Sequence, residues 1–210
     1  MLDESILAIN GLSVPMLTEL SYRSNLGISL KRTLRHFERA ALMEELSRMT
    51  QWLDMQGVLE RVALDYRIKS EASIAAKYER YIHSDRQMRE VFNDILGFRA
   101  ACDDYDKVLA LKSTAFRIAD MSHGKAQDDG YRGVHVYFQA DAAYYPIEIQ
   151  FNRLYDRQLN NWLHSYLYKK NYPDCVGAQL RQRYESGEIH DEKDFEEALE
   201  DVLSRGERRQ

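Results

Sequence analysis

Tyr131-Arg-Gly-Val-His-Val-Tyr-Phe-Gln139 and, after a short gap, Tyr145-Tyr-Pro-Ile-Glu-Ile-Gln-Phe-Asn152 carry the reading of the fold. In the first stretch Tyr131, Gly133, His135 and Tyr137 alternate with Val134, Val136 and Phe138. In the second, Tyr145, Ile147, Ile149 and Phe151 share one face, opposite Glu148, Gln150 and Asn152. Period-two alternation of this kind marks β-strands, here joined by a turn near Asp141. Glu148 sits in mid-strand between two isoleucines. A carboxylate there is costly unless water, a cation or a base holds it.

Working outward, Phe116–Met121 reads as a short strand and 94–102 as a buried, mostly apolar one. The spacing predicts helices over 29–65 (broken near Gly57), 71–81, 104–115, 153–170 and 191–204, with a loop at 122–130. Leu159, Trp162, Leu163 and Tyr166 form an apolar stripe on the fourth of these, as core helices do. Helices around a mixed sheet put the chain in the α/β or α+β class. The expected organisation is one compact domain with a helical region over 1–64, a core over 65–172 and an acidic helical tail over 173–210.

The 210 residues, 44% hydrophobic and with three prolines, suffice for one core and exclude a linker-rich chain. No apolar run approaches the roughly 20 residues of a membrane span and no signal peptide is evident, so a soluble, cytoplasmic protein is expected. Cys102 and Cys175 give neither a disulfide framework nor metal-ligand spacing, and Cys102 reads as a small core residue. The net charge of −5 argues against general polyanion binding. From Asp174 onward, however, eleven acids face six bases, so residues 1–173 are neutral. Their bases cluster at Lys31, Arg32 and Arg35 and again at Arg67, Lys69, Lys77 and Arg80. Such clusters act locally, because fields are screened beyond about 8 Å. Solvated helix faces are the plain alternative, and for Lys31, Arg32 and Arg35 viewed alone they are the simpler reading.

Ser70 is placed to cap the helix starting at Glu71. Ser73, Lys77 and Arg80 then fall on one face of that helix, with Arg67 and Lys69 just ahead of it. Free N–H groups, a hydroxyl and cations together can cradle a polyphosphate; an ordinary basic helix has the same spacing. Asp94, at the entry of a buried strand, is a second candidate carboxylate beside Glu148. Two carboxylates near a polyphosphate suit Mg²⁺, and paired strand-end acids are the plain alternative. His135 and His164 each fit a structural histidine when viewed alone.

Taken in order, Arg67-Ile-Lys69…Ser73…Lys77…Arg80, Asp94-Ile-Leu-Gly97-Phe-Arg99, Gly130-Tyr131-Arg-Gly-Val-His135 and Ile147-Glu148-Ile-Gln150 resemble the RelA/SpoT-type pyrophosphokinase domain of alarmone synthetases. The resemblance covers residues 65–170 and implies a nucleotidyltransferase-like mixed sheet flanked by helices. It also implies transfer of the β,γ-pyrophosphate of ATP to a ribose 3′-hydroxyl. By motif, Arg67 and Arg99 would sandwich adenine; Lys69, Ser73, Lys77 and Arg80 would hold the triphosphate. Asp94 and Glu148 would share Mg²⁺, with Glu148 also deprotonating the acceptor hydroxyl. Tyr131 would stack on the acceptor base, and His135 would contact acceptor phosphate or ribose. Guanidinium planes do stack on bases, and phosphoryl transfer rests on positioning and charge neutralisation. Strict alternation sends Asp94 and Arg99 to opposite faces, so either a bulge near Gly97 or an Asp94 outside the ladder is required.

Two departures bear on the acceptor. Synthetases of free guanosine nucleotides usually carry a Lys four residues before the stacking Tyr, where this chain has Gln127, with Lys125 further back. After Glu-Ile-Gln they usually carry Ile-Arg-Thr, whereas this chain has Phe151-Asn152-Arg153. The hydrolase half and regulatory domains of the long bifunctional enzymes are not expected either. The run from Tyr145 through Tyr155-Asp-Arg-Gln-Leu-Asn-Asn-Trp-Leu-His to Tyr168-Lys-Lys is most similar to the FaRel-type toxic small alarmone synthetases. That similarity implies a toxin with a cognate antitoxin, which pyrophosphorylates the 3′-terminal adenosine of the tRNA CCA end and stops translation. Lys31, Arg32 and Arg117 would then grip the acceptor stem through phosphates. The competing expectations are a synthetase acting on GDP, GTP or adenosine nucleotides, and an inactive module that only binds nucleotide or RNA.

Overall fold

The structure is a computed structural model that describes residues 5–207 except Lys112, Lys169 and Asn171. Lys169, in the Tyr168-Lys-Lys run, therefore lies outside the described residues. The helices are α1 (Ser5–Ile9), α2 (Val14–Glu19), α3 (Arg39–Asp54), α4 (Glu71–Tyr81), α5 (Met88–Val91), α6 (Tyr105–Leu109), α7 (Leu154–Tyr166), α8 (Asp174–Glu185) and α9 (Glu192–Glu207). The strands are β1 (Asp65–Ile68), β2 (Leu96–Ala101), β3 (Phe116–Met121), β4 (Gly133–Phe138) and β5 (Ile147–Asn152). They form one sheet in the order β1-β2-β5-β4-β3. β1 runs antiparallel to β2, pairing Arg67 with Gly97 and Asp65 with Arg99. Cys102 N–H donates to the Asn152 carbonyl, so β2 and β5 end together and run parallel; Gln139 N–H donates to the Ala115 carbonyl, so β4 and β3 are antiparallel. The sheet is mixed, as expected, and helices flank it. Among the described residues no helix is long and apolar enough to cross a membrane.

The chain divides into two compact units. The first holds the chain up to Ala100, Asp106–Ala119 and His135–Phe151; the second holds Ala101–Tyr105, Asp120–Val134 and the chain from Asn152 onward. In the first, the apolar side of the sheet is buried through Phe98, Val136, Phe138, Ile147, Ile149 and Phe151, and α3 contributes Leu42, Leu46, Met49 and Leu53 to the core. In the second, Leu159 and Leu163 of α7, Leu180 and Tyr184 of α8, and Phe195 and Leu199 of α9 form a cluster of their own.

Three expectations are corrected. The helix over 29–65 is confined to α3 and two 3-10 turns, Leu34–His36 and Leu59–Arg61. Thr33 bridges to Gln87, and the Arg32 and Leu30 carbonyls accept from Met88 and Arg89 N–H, so these backbone groups are committed elsewhere. The helix begins only where the Glu38 carboxylate accepts from the N–H groups of Ala40 and Ala41. The helix over 104–115 stops at Leu109, short of a turn in which Ser113 Oγ accepts from Ala115 N–H. The α8 helix lies within the tail and was not anticipated; its apolar positions Val176, Leu180 and Tyr184 are spaced for it but are diluted by charge.

Candidate active site

Strand alternation gathers the chemistry on one side of the sheet. Arg67 faces Gly97 across β1 and β2. A Cβ on Gly97 would lie 3.4 Å from Glu148 Oε2, an ordinary contact distance, so this point of β2 stands directly beside that carboxylate on β5. On β4, His135 Nδ1 lies 3.0 Å from Glu148 Oε1. Tyr137 follows with its hydroxyl 3.4 Å from the same His135 nitrogen, and Arg117 on β3 lays its guanidinium 4.1 Å from the centre of the Tyr137 ring.

Glu148 is only 4% exposed. Burial pushes its pKa up, but the hydrogen bond and charge of His135 pull it down against repulsion from Asp94, and with Gln150 they leave it below its ordinary 4.5. Gln150 Nε2 donates to Glu148 Oε2 at 2.7 Å. Glu148 is therefore an ionised, held carboxylate that also feels the charge of Asp94. Burial and the Glu148 charge push the Tyr137 phenol up, which keeps it a protonated donor.

Asp94 precedes β2, outside the ladder, which resolves the conflict of faces with Arg99 without a bulge. Lys69 Nζ lies 2.8 Å from its Oδ2 and Lys77 Nζ 2.9 Å from its Oδ1, with Arg67 at 3.9 Å. Burial would raise the Asp94 pKa, but the lysines outweigh it and hold the group below its ordinary 3.8. The local fold explains the grip. Lys69 N–H donates to the Ile95 carbonyl, and Ser70 caps α4 by accepting from Ser73 N–H at 3.3 Å, which fixes the turn carrying Lys69 and the helix carrying Lys77.

The Ser73 hydroxyl, exposed on the first turn of α4, accepts from Ser70 Oγ at 3.0 Å. Arg80 is exposed on the last turn, and among the described residues no ion pair joins it to Asp94. Arg67 and Arg99 line one open pocket of about 480 Å³ with Asp65 and Tyr66. Lys31 and Arg32 are exposed on the turn pinned against α5. Cys102 is buried, which pushes its thiol up to about 11, as befits a core residue. His164 is exposed, with its ring against Tyr168.

In the second unit Tyr131 precedes β4. Its hydroxyl accepts from Asn152 Nδ2 at 3.4 Å, and Lys125 Nζ lies 5.3 Å from its ring centre. A Cβ on Gly133 would meet Asn152 Nδ2 at 2.5 Å and the Tyr131 hydroxyl at 2.8 Å, so a side chain there would displace both groups. Lys125 is paired to Asp129 at 2.5 Å and Arg132 to Asp128 at 2.7 Å. Sequence reasoning missed what holds this loop. Arg181 of α8, 1% exposed, donates from Nε to the Gly130 carbonyl at 2.8 Å and from Nη1 to Asp156 at 2.9 Å. The signal was a lone arginine amid the apolar positions of α8, which reads as tail charge until the helix is seen to be packed.

Among the described residues no three His, Cys, Asp or Glu side chains gather into a metal cage. The carboxylate oxygens named on the sheet side are those of Asp94, held by Lys69 and Lys77, and of Glu148, held by His135 and Gln150. They are hard donors, and two ammonium groups already supply Asp94 with the positive charge that a divalent ion would bring. This donor set fits Mg²⁺, which binds through one or two carboxylates and completes its shell with phosphate oxygens and water.

No family model matches the chain, and no curated protein does. Solved structures do. Small alarmone synthetase 1 from Bacillus subtilis, bound to its product pppGpp, is 23% identical over 69% of this chain and 78% of its own, with a TM-score of 0.41. Small alarmone synthetase 2 from Bacillus subtilis is 21% identical over 80% of this chain and 92% of its own, with a TM-score of 0.42. A GTP pyrophosphokinase family protein from Streptococcus pneumoniae is 22% identical over 79% of this chain and 87% of its own, with a TM-score of 0.41. At these identities and TM-scores the similarity assigns the chain neither a family nor an activity.

Proposed function

We propose that the chain is a pyrophosphokinase that moves the β,γ-pyrophosphate of ATP onto a ribose 3′-hydroxyl and releases AMP. The observation that carries this reading is Asp94 held between Lys69 and Lys77, within electrostatic reach of the buried, ionised Glu148. An ordinary salt bridge needs one cation for one acid; here the cations exceed the acid, as a polyphosphate site requires.

Arg67 and Arg99 hold adenine in the pocket they line, and Lys69, Ser73, Lys77 and Arg80 hold the triphosphate. Asp94 and Glu148 would hold Mg²⁺, which would supply charge neutralisation for the pyrophosphoryl group in transfer. Glu148 accepts the proton of the acceptor 3′-hydroxyl. The bond from that oxygen to the β-phosphorus forms as the bond from the β-phosphorus to the α,β-bridging oxygen breaks, and AMP carries the bridging oxygen away. His135 orients Glu148 and contacts the acceptor; Tyr131 stacks on the acceptor base.

For the acceptor we favour the terminal adenosine of the tRNA CCA end, modified in the cytoplasm by a toxin that a cognate antitoxin restrains. The cations nearest Tyr131 along the chain, Lys125 and Arg132, are paired to Asp129 and Asp128, and Asn152 is tied to the Arg132 carbonyl at 2.9 Å. An acceptor whose phosphates lie along an RNA backbone needs none of them. The second reading, GDP or GTP as acceptor, draws on Lys125, whose ammonium beside the Tyr131 ring would meet 5′-phosphates once released from Asp129. Incubation with γ-labelled ATP and either bulk tRNA or GDP tests both. Label in tRNA supports the first reading and label in GDP alone the second. Label in neither overturns pyrophosphate transfer and leaves a module that only binds nucleotide or RNA.

A further inference from the structure

Beside the Arg117–Tyr137–His135–Glu148 row lies a small cavity of about 90 Å³, lined by Arg89, Thr114, Arg117, Tyr137 and Gln139 among others. It is well below the roughly 300 Å³ at which pockets begin to admit a drug-sized ligand. It suits one tetrahedral anion rather than a base. Two guanidinium groups border it. Arg89 is steadied by donating from Nε to Gln87 Oε1 at 2.7 Å, which leaves its outer nitrogens to other partners. Arg117 is steadied by the Tyr137 ring. Among the described residues neither arginine has a carboxylate within ion-pair distance, whereas Lys69, Lys77 and His135 each lie within 3.0 Å of one. Two uncompensated arginines lining one small cavity with Thr114 and Tyr137 favour a doubly hydrogen-bonded phosphate.

The position of the cavity narrows the ligand. Tyr137 lines it, and next along the row stand His135 and then Glu148, the group assigned above to the acceptor 3′-hydroxyl. The backbone of α5 that carries Arg89 also holds the turn carrying Lys31 and Arg32, through Arg89 N–H to the Leu30 carbonyl at 3.0 Å. We propose that Arg89 and Arg117 form a subsite for the phosphate attached to the 5′ side of the acceptor nucleoside. This rests on the pyrophosphokinase reading for the nucleoside's place. The phosphate is either the phosphodiester before a terminal RNA nucleoside or the 5′-phosphate of a free nucleotide; both share the chemistry that the cavity recognises.

Minimal acceptors separate the cases, because cytidylyl-(3′→5′)-adenosine differs from adenosine by a linking phosphate and one further nucleoside, and GDP differs from guanosine by its phosphates alone. Transfer from γ-labelled ATP to all four is measured for the unaltered protein, Arg89→Ala and Arg89→Lys, alongside calorimetric binding of the same four. The unaltered protein is expected to prefer the dinucleotide to adenosine. Arg89→Ala should cut use of the dinucleotide by about tenfold or more, mainly through KM, while use of adenosine stays within about twofold; Arg89→Lys should recover part of the loss. A preference for GDP over guanosine, with the dinucleotide and adenosine alike, keeps the subsite but makes its ligand a free nucleotide. Equal effects of Arg89→Ala on phosphorylated and unphosphorylated acceptors, or no effect on either, overturn the subsite. If no acceptor is labelled, the enzymatic reading falls and calorimetry decides: Arg89-dependent binding of phosphorylated over unphosphorylated compounds keeps the anion site, and its absence overturns it.

Discussion

Lys77 Nζ lies 2.9 Å from Asp94 Oδ1 while Lys69 closes on Oδ2 at 2.8 Å, so one carboxylate restrains two ammonium groups. The acid therefore has two tasks under the proposed function: holding metal during turnover and holding the lysines before substrate arrives. Asp94→Asn separates them. Lys69 and Lys77, released from their anion, should bind ATP about two- to tenfold more tightly without Mg²⁺, while transfer in its presence falls by roughly a thousandfold. Equilibrium dialysis with labelled ATP and the transfer assay read the two effects. Weaker metal-free binding would place the lysines outside the phosphate site.

Glu148→Gln keeps the shape of the side chain but removes the charge and the proton acceptor, and its single amide oxygen can accept from only one of Gln150 Nε2 and His135 Nδ1. Turnover should drop by about 10²- to 10⁴-fold with an unchanged circular dichroism spectrum. Residual activity above a tenth of the original would show that another group takes the proton.

Both carboxylates titrate below their ordinary values, Asp94 because of its lysines and Glu148 because of His135. A carboxyl whose folded pKa is depressed contributes stability that is present above its unfolded value and is lost as pH falls through the folded one. Unfolding free energy, followed by urea denaturation, should hold steady above the ordinary carboxylate values and decline as pH drops below about 4. Asp94→Asn should flatten part of that decline. An unchanged acid slope in the variant would mean that the lysines do not stabilise the folded carboxylate.

The strand pattern around residues 133–152 was legible because alternation is local: each apolar residue declares its face without knowledge of its partners. The candidate residues on β1, α4 and β5 were singled out by helical spacing and by the order of short motifs, which are equally local. Asp94 was picked out as a candidate from its place at the entry of a strand, but whether it stood inside the ladder could not be read, because that depends on where β1 ends and Lys69 N–H turns toward Ile95. The turn at Lys31 and Arg32 read as helix because Leu30, Leu34 and Phe37 have helical spacing; what overrides it is long-range, the bridge from Thr33 to Gln87. Arg89 and Arg181 were invisible as site residues, since nothing in their own neighbourhood marks them. Their roles come from groups far away along the chain, Arg117 in one case and Gly130 in the other.

The exposed pair on that turn gives a test of the acceptor. Lys31→Glu with Arg32→Glu should weaken transfer to tRNA by about tenfold or more at physiological salt and leave transfer to a mononucleotide within about twofold, because backbone contacts act only on an extended polyanion. The defect should shrink as salt rises, when the native contacts are themselves screened. Equal loss on both acceptors would make the turn a structural element, read through its hold on α5.

The last prediction concerns the helix that grips the Tyr131 loop. A Cβ on Gly177 would lie 2.0 Å from the Asp129 carbonyl oxygen, and one on Gly130 would lie 2.3 Å from the Gly177 carbonyl oxygen, so two glycine backbones touch where α8 meets the loop. Gly130 also has φ of 85°, a conformation other residues adopt at a cost. Arg181 completes the junction by bonding the Gly130 carbonyl and the Asp156 carboxylate, which Arg153 also pairs at 2.8 Å. Arg181→Met should cost about 3 kcal/mol in urea denaturation, the low end for breaking a buried ion pair, because Arg153 still compensates Asp156. Gly177→Ala should cost about 1–3 kcal/mol by forcing the backbones apart. Gln179→Ala, on the exposed side of the same helix, should stay within about 0.5 kcal/mol. If the loop presents Tyr131 to the acceptor base, Arg181→Met at a temperature where it remains folded should raise the acceptor KM while ATP binding is unchanged. A rise in both would mean that α8 stabilises the protein at large and does not set the loop.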